Sequence, residues 1–195
     1  MRDGGAVMAA SQILRQPALV RVVRKAPLPR GMTFLLEVAA GDADALSEAS
    51  RLTGDSPSRL TEAAGFFVEQ ILFMERADHY RILGAPRNAS TADLRHHMAL
   101  LMRWLHPDIY AERPTGRVDR SVLATRITAA WQTLKVDDRR AAYDASLNAS
   151  RAASDAEPHS GHSSLRSRRY PRLSLHHLEG EGFISRLLLF LQGRR

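Results

Sequence analysis

The chain contains no cysteine. Its 195 residues therefore hold neither a disulfide framework nor a cysteine-ligated zinc module. Lysine is nearly missing as well. Of 28 basic residues only Lys25 and Lys135 are lysine and 26 are arginine, a bias of codons rather than of function. No apolar run approaches the roughly 20 residues that a membrane-spanning helix requires. No activated nucleophile and no glycine-rich phosphate loop is present, so the chain is expected to be no enzyme and to need no cofactor. His159, His162, His176 and His177 lie in polar sequence with few carboxylates nearby, and read as solvated side chains rather than metal ligands.

What is present is enough apolar sequence, 44%, to bury a core, and room for one ordinary domain or two small ones. Charge is placed unevenly: residues 1–30 carry net +5, 31–77 net −5, 78–150 net +3 and 151–195 net +4. The basic ends suit weak contact with anionic lipid or nucleic acid, although solvated tails are the commoner use of such composition.

Residues 1–28 read as a basic N-terminal arm, flexible or peripheral. Its apolar residues, Ile13, Leu14, Leu19, Val20, Val22 and Val23, are interrupted by Arg15 and Pro17 and do not make the core of a secretory signal. Its arginine-rich, acid-poor character leaves a mitochondrial presequence as a minor alternative. Residues 29–76 read as a segment of three helices. The first runs from Pro29 to Ala40 with Gly41 as its stop. Asp42 caps the second, Ala43 to Thr53, which Gly54 closes. Ser56 and Pro57 start the third, which runs to about Arg76. Phe34, Leu35, Leu46, Leu60, Phe67, Ile71 and Leu72 are its core candidates. A faint helix-turn-helix pattern is opposed by Asp55 at an apolar position and by a net charge that repels phosphates.

The next stretch carries the informative pattern. Asp78-His79-Tyr80-Arg81-Ile82-Leu83-Gly84 reads as a brief helix stopped by Gly84 and Pro86. Ser90 and Asp93 form a capping box for a long helix with Leu94, Met98, Leu101, Met102 and Leu105 on one face. Arg95, His96 and Arg103 lie off that face. Pro107 ends the helix, so His106 and Asp108 stand on a stiff corner. After a polar stretch from Ile109 to Arg120, a second long helix carries Leu123, Ile127, Ala130, Trp131 and Leu134 as core. The two helices are expected to pack as an antiparallel pair. Lys135 to Asp138 is a polar break, and Arg139-Arg140-Ala141-Ala142-Tyr143-Asp144 reads as a short terminal helix.

From Asp78 to about Leu147 this region resembles a J domain, the module of DnaJ-like co-chaperones. The motifs that carry the resemblance stand in order: Asp-x-Tyr-x-Ile-Leu-Gly, His-Pro-Asp, Ile-x-x-Ala-Trp-x-x-Leu and Arg-Arg-Ala-Ala-Tyr-Asp. The resemblance covers about a third of the chain. It implies an all-α fold and docking on a DnaK-type chaperone whose ATP hydrolysis is accelerated. On that likeness His106, Pro107 and Asp108 carry the activity and Arg95, His96 and Arg103 belong to the approach surface. His106 offers ring nitrogens, Asp108 a carboxylate for an arginine of the partner, and Pro107 rigidity.

Two departures stand out. The J-domain helix before the tripeptide is usually rich in lysine and arginine. Here Arg95, His96 and His97 are followed by Met98, Ala99 and Leu100, so the basic face is thin. That predicts slower or weaker docking, since charge complementarity mainly sets association rate. Met98 to Leu100 reads first as a wider buried face, covered by another part of the chain, and second as a binding patch. Ala124 stands where the family usually has a large aromatic, leaving room for a neighbouring segment.

Residues 148–178, rich in Ser, Arg and His, read as a flexible linker. Residues 179–195 read as a basic amphipathic tail, with Phe183 to Leu191 apolar and Gly193-Arg194-Arg195 at the end. Two readings of it stay open: it lies in a membrane interface, or it folds back on the helical body. The expectation is therefore an all-α chain with one J domain at residues 77–147. Its expected partners are a DnaK-type chaperone and unfolded client protein, with no nucleic acid. It is expected in the cytoplasm, with a peripheral place at the inner face of a membrane as the alternative. The competing reading is a J-like adaptor that activates a chaperone weakly or not at all.

Overall fold

Helix α3, Met32–Ala39, is apolar on nearly every side: Phe34, Leu35, Leu36, Val38 and Ala39 are all buried. A helix of that composition has to sit at the centre of its neighbours. It does so in the computed structural model, which describes residues 2–106 and 119–155. Around α3 pack α1 (Gly5–Arg15), α4 (Ala43–Thr53), α5 (Pro57–Phe67) and α7 (Thr91–Trp104). The remaining helices are α2 (Val20–Lys25), α6 (His79–Ile82), α8 (Arg120–Leu134) and α9 (Asp137–Asp155). No strand occurs among the described residues. The chain divides into a unit of residues 1–146 and a second of residues 147–195.

The N-terminal residues are no peripheral arm. On α1, Ala6, Val7, Ala10 and Ile13 recur at helical spacing and are buried, chiefly against α5, where Leu60, Ala63, Ala64 and Phe67 are buried in turn. Arg15 and Pro17 do not break up one apolar run. They instead separate α1 from a 3-10 turn, Pro17–Leu19, and from α2. The entry to α3 is equally tight. Gly31 has φ +80°, and a Cβ there would lie 1.9 Å from the Asp3 carbonyl oxygen. Only glycine combines that conformation with that approach.

The caps expected for α4 and α5 are present. Asp42 accepts a hydrogen bond from Ala45 N at 2.9 Å, Gly54 closes α4 with a left-handed residue, and Ser56 caps α5 with Pro57 behind it. Three boundaries differ from expectation. Helix α3 begins at Met32 rather than Pro29, since Gly31 is left-handed. Helix α5 gives way at Val68–Leu72 to a π turn in which Phe73 N donates to Val68 O, so the helical run stops short of Arg76. The terminal helix is longer than Arg139–Asp144 and continues through the first residues of the stretch read as linker, to Asp155.

Helices α6 and α7 both pack on α8. The start of α7 (Thr91, Ala92, Arg95) shares a groove with the end of α8 (Trp131, Lys135), so the pair runs antiparallel, as the two apolar faces predict. Among the described residues, no helix is long and apolar enough to cross a membrane.

Candidate functional site

The short helix α6 is placed by its own cap and by α9. Asp78 accepts from Arg81 N at 2.8 Å. The Tyr80 hydroxyl donates to the Asp144 carboxylate at 2.9 Å and accepts from Arg140 Nε at 2.9 Å. Arg140 also donates to the carbonyls of Arg87 and Ala89, each at 2.8 Å, and its guanidinium lies over the Tyr80 ring. His79 N donates to the Tyr143 hydroxyl at 2.9 Å, and the two rings stack with centroids 4.4 Å apart. Burial raises the pKa of both tyrosines above the usual phenol range. The Arg-Arg-Ala-Ala-Tyr-Asp run thus does a specific job: Arg140, Tyr143 and Asp144 clamp α6 and the loop after it.

Helix α7 carries the candidate surface. Ser90 accepts from Asp93 N at 3.1 Å and Asp93 accepts from Ser90 N at 3.2 Å, the expected capping box. Leu94, Met98, Leu101, Met102 and Leu105 are buried, while Arg95, His96 and Arg103 are exposed. His106 follows at the end of α7, half-buried, its N–H bonded to Arg103 O at 3.0 Å. Pro107 and Asp108 lie outside the described residues. So do the loop to residue 118, the tail from residue 156, and with it the four histidines and both readings of Phe183 to Leu191.

His97 does not belong to the basic face. It is 4% exposed, with Nε2 2.7 Å from Thr33 Oγ1 and Nδ1 3.0 Å from Leu83 O. Burial holds it below the usual imidazole pKa, so the ring is neutral, and Leu83 O accepts from Nδ1–H. The helical register already pointed there, because His97 is three residues after Leu94 and four before Leu101. Trp131, expected in the core, is only half-buried, and its ring lines the open groove between α7 and α8 with Arg95, His96, Ala99 and Lys135.

Residues 78–144 match the family model of the DnaJ domain. The chain carries a DnaJ domain. Over 71 residues it is 34% identical to the chaperone protein DnaJ of Exiguobacterium sibiricum, covering 36% of this chain and 18% of that protein. It is 37% identical over 67 residues to the DnaJ of Rickettsia bellii, covering 34% and 17%. The diphthamide biosynthesis protein 4 of Candida glabrata is 35% identical over 76 residues, 37% of this chain and 43% of that one. The chain thus spans about a fifth of the length of the curated DnaJ proteins it matches. No solved structure matches it.

The J domain is joined to the helices before it by four sets of polar or aromatic contacts that sequence reasoning missed. Arg81, on α6, donates to the carbonyls of Val23 in α2, of Ala26 just after it and of Ile71 in the π turn. His97 reaches Thr33 on α3. Phe73, at the end of the π turn, stacks on the fully buried Trp104 of α7, planes 10° apart and centroids 6.2 Å apart. Arg126 of α8 lies over the Phe73 ring and donates to the carbonyls of Phe73 and Met74 at 2.6 and 2.9 Å. Helix α3 packs on α7 as well; of Met98 to Leu100, read first as a wider buried face, Met98 is buried and Ala99 and Leu100 are half-buried. These joints left no sequence signal, since an arginine bound for backbone carbonyls reads like any other arginine.

Proposed function

We propose that this chain is a J-domain co-chaperone. It docks on a DnaK-type chaperone and stimulates its ATP hydrolysis without catalysing a reaction of its own. The observation that supports it best is the DnaJ-domain match at residues 78–144, together with Arg95, His96 and Arg103 lying exposed along α7 and His106 following at its end. In the proposal His106, Pro107 and Asp108 meet the chaperone, and the α7 cations steer the encounter. Unfolded protein is the proposed client and the cytoplasm the proposed place of work. The test is steady-state ATP hydrolysis by a DnaK-type chaperone with and without this protein. Stimulation by the wild type that His106→Gln removes supports the reading. No stimulation, or equal stimulation by the variant, refutes it.

A second reading has an observation of its own. With His97 buried and Ala99 and Leu100 uncharged, the basic surface is reduced to Arg95, His96 and Arg103. A J-like adaptor that binds its partner weakly, or works at a membrane, fits that surface. Vesicle flotation with and without residues 179–195 separates the membrane form, which requires that the truncation abolish flotation.

A further inference from the structure

His106 follows the end of α7, and one contact that holds that end comes from outside the J domain. Trp104, two residues earlier, is 0% exposed, and its stacking partner is Phe73, from the π turn before α6. Phe73 is itself held. Its carbonyl accepts from Arg126 at 2.6 Å, the next carbonyl from the same guanidinium at 2.9 Å, and the guanidinium covers its ring at 5.5 Å. One side chain of the N-terminal helices is thus in contact with both long helices of the J domain, at a residue two positions before the one proposed to meet the chaperone. The π turn explains how Phe73 gets there: an i to i−5 bond closes at Phe73 N and turns the chain out of α5 at that residue.

We propose that Phe73 is a positioning residue for His106: the N-terminal helices act as a brace that sets the end of α7 through the Phe73–Trp104 stack and the Arg126 clamp. The inference rests on the co-chaperone reading for its functional half only. The brace predicts that docking competence depends on residues outside the matched segment 78–144. Contact with the chaperone requires a pre-set corner, because ordering it on docking would cost affinity.

The experiment uses the full chain and three variants. Phe73→Ala removes the stack, Phe73→Tyr keeps it, and Ile13→Ala empties a buried site on α1, which packs on α5; both alanine variants are large-to-small core substitutions and are expected to destabilise to a similar extent. Hydrogen exchange is read at the Leu105 and His106 amides, which donate to Leu101 O and Arg103 O. Stimulation of a DnaK-type ATPase is read beside it, below the melting temperature of every variant. Expected are faster exchange at those two amides and a several-fold loss of maximal stimulation in Phe73→Ala alone, with both restored in Phe73→Tyr. Unchanged exchange in Phe73→Ala, or an equal change in Ile13→Ala, overturns the brace. So does full stimulation by Phe73→Ala where the wild type stimulates. If the wild type stimulates nothing, the co-chaperone reading falls, and the exchange data still decide whether Phe73 holds the end of α7.

Discussion

At the scale of single residues, the buried polar side chains explain more than the exposed ones. His97 is neutral in the fold and bonded on both ring nitrogens. Its pKa is depressed by burial from the ordinary value of 6.5, so the unfolded chain takes up a proton before the folded one does. His79, desolvated against Tyr143, shifts the same way. Stability is therefore full above about pH 6.5 and falls as pH drops below it, by at most about 1.4 kcal/mol per pH unit for each histidine. Urea denaturation at pH 7.5, 6.5 and 5.5 measures this, and His97→Gln should flatten the slope. Arg140 makes a second prediction. Arg140→Ala strands the Arg87 and Ala89 carbonyls and loses the Tyr80 bond, which should cost about 2–3 kcal/mol, read as a lower denaturation midpoint. Surface ion pairs such as Arg2 with Glu37 and Glu48 contribute far less, since both partners keep contact with water.

At the scale of elements, caps and glycines set the boundaries. Ser90→Ala removes half of the α7 capping box and should cost about 1 kcal/mol. Gly31→Ala is more severe, because a left-handed alanine would also collide with the Asp3 backbone. It should cost more than about 2 kcal/mol and release the start of α1, seen as fast amide exchange at Ala6, whose N–H now donates to Arg30 O. The limits of α4 were legible in the sequence because Asp42 and Gly54 act locally. So were the α7 cap and, Trp131 excepted, the core face of the α7–α8 pair, which rest on short-range periodicity. The π turn was not, since nothing in Val68-Glu69-Gln70-Ile71-Leu72 departs from a helical pattern. The packing of α1 was missed for a related reason. Its alanines are small enough to look like arm sequence, and their burial depends on α5, far along the chain. On the candidate surface, Arg95, His96 and Arg103 lie off the apolar face and are exposed. His97 and Trp131 exchanged the roles expected of them, because a neighbouring helix covers one and leaves the other at a groove.

At the scale of the molecule, the J domain and the helices before it share one core. Arg81, His97, Phe73 and Arg126 cross between them, and α3 packs on α7. Residues 1–146 should therefore unfold in one calorimetric transition rather than two. A fragment beginning at Asp78 should melt at lower temperature, since Trp104 loses Phe73 and the buried His97 loses Thr33. The same architecture gives the proposed function its shape: an α7 surface carrying few cations, with His106 at an end braced from outside the domain. The most direct measurement is steady-state ATP hydrolysis by a DnaK-type chaperone, titrated with wild-type protein and with His106→Gln. The account predicts saturable stimulation by the wild type and none by the variant. Equal stimulation by both, or by neither, would contradict it.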